Sequence, residues 1–282
     1  MIQIRKLCLA LALLAINVQA ATEHWTPKLY TYCMDMADAR KRTVPEQAQL
    51  LKELGFDGAG FGLWLDAKCE QNLKIFDDAG LQVFMFHTFI KYGTNGFTLD
   101  PRMPDTIRKL KGRPVTLCTL LSGLKPGDPK GMDSAVKLLR EMGDLAQASG
   151  IRISVYHHLN DWTETLPFAI EVMKQVNHPA VGFNFNLYHW LRVTGTEEYK
   201  TLLKENAAKL FGVVICGAQV GTKTWTNGLI QPLDQGDFDN RKLVDYLNEI
   251  GYRGPVGLMC FGIPGDARPH LERSMKVWKS WQ

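Results

Sequence analysis

The chain lacks most of the signals that mark a metal-stapled or polyanion-binding protein. Its six cysteines and seven histidines form no Cys-x-x-Cys pair and no Cys/His spacing of the structural zinc type. No basic block is longer than Arg40-Lys41-Arg42, and the net charge is only +4. Nucleic-acid binders concentrate Lys and Arg in a stripe, so no nucleic-acid partner is expected. No low-complexity linker or composition break divides the chain. No glycine-rich phosphate loop opens a helix either. The one candidate, Phe56-Asp57-Gly58-Ala59-Gly60-Phe61-Gly62, has no helix directly after its glycines and reads as a strand whose small residues face a crowded interior.

No apolar run is long enough to cross a bilayer comfortably. The run Leu7 to Ile16 is preceded by Arg5 and Lys6 and closed by Val18-Gln19-Ala20, which reads as a cleavable signal peptide over residues 1–20. That predicts a secreted or periplasmic protein with no membrane contact once the leader is removed. Removal also takes two positive charges, bringing +4 to +2. Five cysteines then remain (Cys33, Cys69, Cys118, Cys216 and Cys260), an odd number that leaves at least one unpaired. Four lie in apolar runs, where Cys behaves as a small buried hydrophobe.

What is present is an alternation. Short runs rich in Val, Ile, Leu and Phe predict strands at Leu29–Met36, Phe56–Trp64, Leu81–Ile90, Val115–Ser122, Ile151–His158, Val181–His189, Phe211–Gln219 and Val256–Phe261. Helical spacing of Leu and charge appears near Pro45–Leu54, Ala67–Ala79, Pro104–Leu110, Asp133–Ser149, Thr165–Gln175, Glu197–Leu210, Asn240–Ile250 and Pro269–Trp281. Gly55, Gly80, Gly150 and Gly251 sit where a helix must turn into the next strand. Parallel neighbours need crossover helices, and eight such units in about 255 residues match a closed (β/α)8 barrel. The predicted fold is therefore an α/β TIM barrel, one domain over residues 21–282.

Active sites of such barrels lie at the C-terminal ends of the strands. The polar strand ends are His87-Thr88, Tyr156-His157-His158, and Asn184-Phe185-Asn186 followed by His189. Alternation turns Ser154, Tyr156 and His158 inward on strand five and Asn184 and Asn186 inward on strand six. His157 is the less suitable candidate, and His189 is placed in a loop over the mouth. Any one of these could be a hydrogen-bonded core or rim residue. As a cluster they point to a ligand, because buried polar groups cost free energy unless paired.

At these residues the chain resembles the xylose-isomerase-like barrel family of sugar isomerases, ketose epimerases, inosose dehydratases and apurinic endonucleases. The resemblance is carried by Val181-Gly182-Phe183-Asn184-Phe185-Asn186-Leu187-Tyr188-His189-Trp190, by Gln231-Pro232-Leu233 with Gly236-Asp237-Phe238-Asp239, and by Gly251 through Leu258 with His270, Leu271 and Ser274. It implies a divalent metal held by acids on strands five, six and eight and by a His on strand seven. Here Tyr156, Asn186, Val214 or Cys216, and Met259 stand at those positions. Only His158 and the Asn186-x-x-His189 spacing remain. Hard cations want anionic oxygens, so no cofactor is expected, the alternative being a softer divalent site on His87, His158 and His189.

What the resemblance then implies is a small-molecule carbohydrate partner and enolisation-type acid/base chemistry on a neutral sugar or sugar derivative, as in an isomerase or epimerase. The catalytic candidates are His158, His189 and Tyr156. His87, Asn184, Asn186 and Gln231 are candidates for binding hydroxyls. Trp162 is either a platform for a sugar face or a packing residue at a helix start. Two alternatives stay open: a lyase or hydratase acting on 3-keto sugars or glycosides, and a non-catalytic carbohydrate-binding barrel.

Overall fold

A computed structural model describes residues 25–65, 67–195 and 198–282, and the predicted signal peptide lies outside them. Eight parallel strands close into a ring in sequence order: β1 (Leu29–Tyr32), β2 (Gly58–Gly62), β3 (Gln82–Lys91), β4 (Thr116–Ser122), β5 (Arg152–Tyr156), β6 (Val181–Asn186), β7 (Leu210–Ile215) and β8 (Val256–Met259). The ring is closed by β1 against β8, with Leu29 opposite Val256 and Tyr32 opposite Met259.

Around it run α1 (Val44–Leu54), α2 (Lys68–Asp78), α3 (Met103–Lys109), α4 (Met132–Ser149), α5 (Leu166–Val176), α6 (Leu187–Val193), α7 (Tyr199–Glu205), α8 (Asn240–Glu249) and α9 (Ala267–Lys279). The longer helices each bury one stripe against the barrel wall, whereas the short α6 is buried nearly all round. In α4 the buried residues Ala135, Leu138, Leu139, Met142 and Ala146 recur at helical spacing, and each large one contributes about 1.5–3 kcal/mol through removal from water. The start of α1 is fixed by a capping box of Thr43 with Glu46, and the start of α5 by Thr165. Gly55, Gly80, Gly150 and Gly251 all have φ between 70 and 84°, the left-handed turn expected of them. Among the described residues no helix is long and apolar enough to cross a membrane.

The barrel interior is filled by tyrosines facing glycines. Tyr30 and Tyr32 of β1 are buried, and the neighbouring strands leave room for them. A methyl group at Gly60 of β2 would lie 2.9 Å from the Tyr32 ring, and one at Gly257 of β8 would lie 2.7 Å from that of Tyr30. The glycine-rich stretch Gly58–Gly62 is accordingly strand β2, with Gly60 making room for a tyrosine. The five cysteines Cys33, Cys69, Cys118, Cys216 and Cys260 are buried and held in no disulfide.

The structure departs from the predicted elements between Asn186 and Leu210. The sixth strand stops at Asn186, and Leu187–Val193 is a helix, so His189 stands on the first turn of α6. The reason is local: Asn186 Oδ1 accepts the peptide hydrogens of Tyr188 (3.0 Å) and His189 (3.4 Å), capping the helix before the apolar run can extend the strand. The helix predicted over Glu197–Leu210 is the shorter α7, followed by a 3-10 turn at Ala207–Lys209.

Candidate active site

The C-terminal ends of the strands open into a cavity of about 320 Å³. His87, Tyr156, His158 and His189 all line it, so four of the eight site residues expected from the sequence converge on one mouth. The ring centroids of His158 and His189 are 4.2 Å apart, and Tyr156 lies 5.8 Å from the first and 5.4 Å from the second.

The turn after β5 shapes this cluster. Asp161 N–H donates to the His158 carbonyl (3.0 Å), and Asn160 takes the left-handed conformation, φ 66°. Asn tolerates that conformation better than other side-chain-bearing residues. The turn brings Asp161 back so that its Oδ2 is 3.1 Å from His158 Nδ1, an ion-pair distance at an angle outside hydrogen-bond geometry. The carboxylate favours a proton on Nδ1, which leaves Nε2 as the basic lone pair. Asp161 was not singled out from the sequence. The signal was present as an Asn-Asp turn pair just beyond a strand-end histidine.

His189 has the opposite polarity. Its Nδ1 accepts the Leu159 peptide hydrogen at 3.3 Å, and a peptide N–H can only donate, so the neutral ring carries its proton on Nε2. Burial, with repulsion from His158 and His157, holds its pKa well below the usual value. His87 is held down to about 4 by burial and by His158. Its ring packs against Tyr32 and Phe89, and its Nδ1 is buried without a partner. His157 does not line the cavity and is bonded within the wall. Its Nε2 accepts the Asn186 peptide hydrogen at 2.9 Å, and burial lowers its pKa to about 3.

Tyr156 accepts a 2.6 Å hydrogen bond from Asn186 Nδ2. Burial pushes its phenol well above the ordinary value, with nearby thiols adding to the effect and Tyr32 and Asn186 opposing it, so it is a proton donor at neutral pH. Asn186 is thus committed on both ends of its amide, to Tyr156 and to the start of α6. It orients the site instead of facing a ligand.

The remaining expected residues lie elsewhere. Trp162 is fully buried, donates to the Asp128 carbonyl at 2.7 Å and packs on Phe97 and Phe168, so it takes the packing role and offers no sugar platform. Asn184 is buried in the barrel with neither amide atom paired and does not line the cavity. Gln231 donates to the Gly228 carbonyl at 2.7 Å and stabilises the β7–α8 loop. Across the barrel from β5, β1 and the turn after it present Tyr32, Cys33 and Met36 to the cavity. Burial raises both the phenol of Tyr32 and the thiol of Cys33 well above their usual values, so neither is a base.

The donor set does not fit a hard divalent cation. The positions where the resemblance implies acids hold a phenol, an amide and a thioether, and two of them are already bonded to each other. Among the described residues no three His, Cys, Asp or Glu side chains come together as a metal-holding group.

Compared by sequence with curated proteins, the chain has no significant match. The family profile described as xylose isomerase-like TIM barrel matches residues 48–281. Among solved structures, 3-keto-D-glucoside 4-epimerase from E. coli is 17% identical with a TM-score of 0.67, covering 90% of this chain and 99% of that one. D-allulose 3-epimerase from Methylomonas sp. in complex with D-allulose is 15% identical with a TM-score of 0.66, covering 92% and 98%. An AP endonuclease, family 2, from Brucella melitensis is 20% identical with a TM-score of 0.67, covering 87% and 96%. At these identities the likeness to the three is one of fold.

Proposed function

Because the chain belongs to the xylose isomerase-like TIM barrel family, we propose that it is an enzyme removing a proton beside the carbonyl of a neutral sugar derivative. The observation that carries this reading is the His158–Asp161 pair at 3.1 Å, a base with an orienting carboxylate at the mouth of the barrel. His158 Nε2 takes the proton from the carbon next to the carbonyl. Electrons from that C–H bond move into a carbon–carbon double bond, and the carbonyl oxygen gains negative charge. Tyr156 O–H and His189 Nε2–H, both kept protonated and neutral at that wall, donate hydrogen bonds to this oxygen. Passage of the adjacent hydroxyl proton to the former carbonyl oxygen, with return of the abstracted proton to the former carbonyl carbon, forms the carbonyl at the neighbouring position and gives isomerisation.

Tyr156, His158 and His189 stand at the C-terminal ends of β5 and β6, whereas on the β1 side Tyr32 and Cys33 are no bases and the one imidazole nearby, His87 of β3, is held down to about 4. This supports proton transfer on a single face of the substrate, as in isomerisation. The same wall serves elimination beside a keto group, where the enolate expels a neighbouring oxygen substituent as its alcohol after protonation. Epimerisation by two bases on opposite faces is the less well supported branch.

The test is exchange of the carbon-bound proton for solvent deuterium, followed by NMR on free sugars, methyl glycosides and their 3-keto derivatives. The wild-type protein exchanges the position beside the carbonyl of its substrate, and His158→Gln slows exchange by about 10²- to 10⁴-fold. Absence of exchange on every compound, with sugar binding retained, would leave a carbohydrate-binding barrel instead.

A further inference from the structure

The cavity that holds the histidines is unusually apolar at its entrance. Four large hydrophobic side chains are exposed among the described residues, and three of them line this one mouth: Met36 at 55%, Phe89 at 67% and Trp225 at 48%. They come from three separate places, the turn after β1, the end of β3 and the β7–α8 loop. Trp225 is held edge-on by Phe261 at 5.2 Å, and the Thr226 hydroxyl bonds the Gly262 carbonyl at 3.2 Å. The rim is therefore built against the segment after β8. Solvent-exposed apolar groups contiguous with a pocket mark a binding surface.

A free monosaccharide would not use this entrance well. Its hydroxyls need donors and acceptors, yet Asn184, Asn186 and Gln231, the amides best suited to them, do not line the cavity. Most polar groups that line it, Tyr156, His158, Asn160, Tyr188 and His189, sit at the ends of β5 and β6, with His87 and Tyr32 deeper on β3 and β1, and the rim is thioether, phenyl and indole. From this division, and resting on the enzymatic reading above, we infer that the substrate is a keto-glycoside whose carbonyl-bearing sugar ring meets His158, His189 and Tyr156 while an apolar aglycone lies against Met36, Phe89 and Trp225. The rim is thus the specificity-determining surface, selecting aryl or alkyl glycosides over free sugars.

Binding of 4-nitrophenyl β-D-glucoside, methyl β-D-glucoside and glucose to the mature protein, measured by calorimetry, tests this. The aryl glycoside binds at least about tenfold more tightly than the methyl glycoside, and Phe89→Ser or Trp225→Ser removes that advantage without changing the methyl glycoside's affinity. Both side chains are exposed, so these variants fold, which circular dichroism verifies. Equal affinities for the aryl and methyl compounds overturn the inference, as does a wild-type dimer dissociated by either variant, since the rim would then be a subunit contact. Deuterium exchange on the 3-keto forms separates this outcome from failure of the catalytic reading. Exchange without aryl preference sinks the rim alone, whereas aryl preference with no exchange sinks the chemistry and leaves the rim.

Discussion

At the scale of single residues the site is organised by where charge is permitted. His158 faces the Asp161 carboxylate, while burial, with repulsion between the neighbouring imidazoles, depresses the pKa of His87, His157 and His189. One imidazole is therefore placed to take up a proton while its neighbours serve as neutral donors or structural acceptors. The carboxylate is what fixes this assignment, because without it the two tautomers of His158 approach equality. On the proposed chemistry, Asp161→Asn should lower kcat by about tenfold or more with little change in KM, since Asp161 does not line the cavity. Nitrogen-15 chemical shifts of His158 should report the mixed tautomers in the same variant, which a purely structural role for Asp161 would not produce. A variant with wild-type kcat would remove Asp161 from the mechanism.

At the scale of elements, α6 is a device for delivering His189. Asn186 ends β6, caps α6 and donates to Tyr156 at 2.6 Å, so one amide sets the strand end, the helix start and the phenol together. Asn186→Asp keeps the cap, because a carboxylate accepts the two peptide hydrogens as well as an amide does. It cannot donate, so it turns the Tyr156 proton toward itself and away from the substrate. The expected result is near-native thermal stability with kcat reduced by at least about 100-fold; an active Asn186→Asp enzyme would show that the Tyr156 proton is not needed.

The eight strands were legible in the sequence because each apolar run is bounded by residues with fixed conformational meaning, such as Gly150 and Gly251. The helix α6 was not, because Leu187 through Trp190 continue an apolar strand without a break and the capping role of Asn186 reads equally as an inward strand residue. His87, Tyr156, His158 and His189 were legible as polar ends of apolar runs. Phe89 was invisible by the same logic, since an apolar residue in an apolar strand carries no mark of facing out, and Met36 and Trp225 lie in short polar turns whose approach to the mouth only the closed barrel sets. Trp162 shows the converse ambiguity: an indole just beyond a strand serves packing or stacking, and only the Asp128 carbonyl decides between them.

At the scale of the whole molecule, buried imidazoles tie folding to pH. Burial lowers the pKa of His87 to about 4, of His157 to about 3 and of His270 to about 4, against 6.5 for an unperturbed side chain. Between those values the unfolded chain binds protons that the folded chain refuses, so stability rises with pH across that interval. The contribution is complete above about pH 6.5 and is lost as pH falls toward 4, at up to roughly 1.4 kcal/mol per pH unit for each histidine. Carboxylates act lower. Hydrogen bonds from Arg102 hold Asp100 down to about 2, so its stabilising effect fades only below the carboxylate range near 3.8. A loss that starts near pH 6.5 therefore belongs to the imidazoles. Urea denaturation at pH 7.5, 6.5, 5.5 and 4.5 should show a steadily falling midpoint. Because His270 lies on α9, away from the cavity, His270→Leu should flatten that slope without touching catalysis. A midpoint that stays constant from pH 7.5 to 5 would mean that these rings take up protons in the folded barrel, and with that the neutral-donor role of His189 would fall.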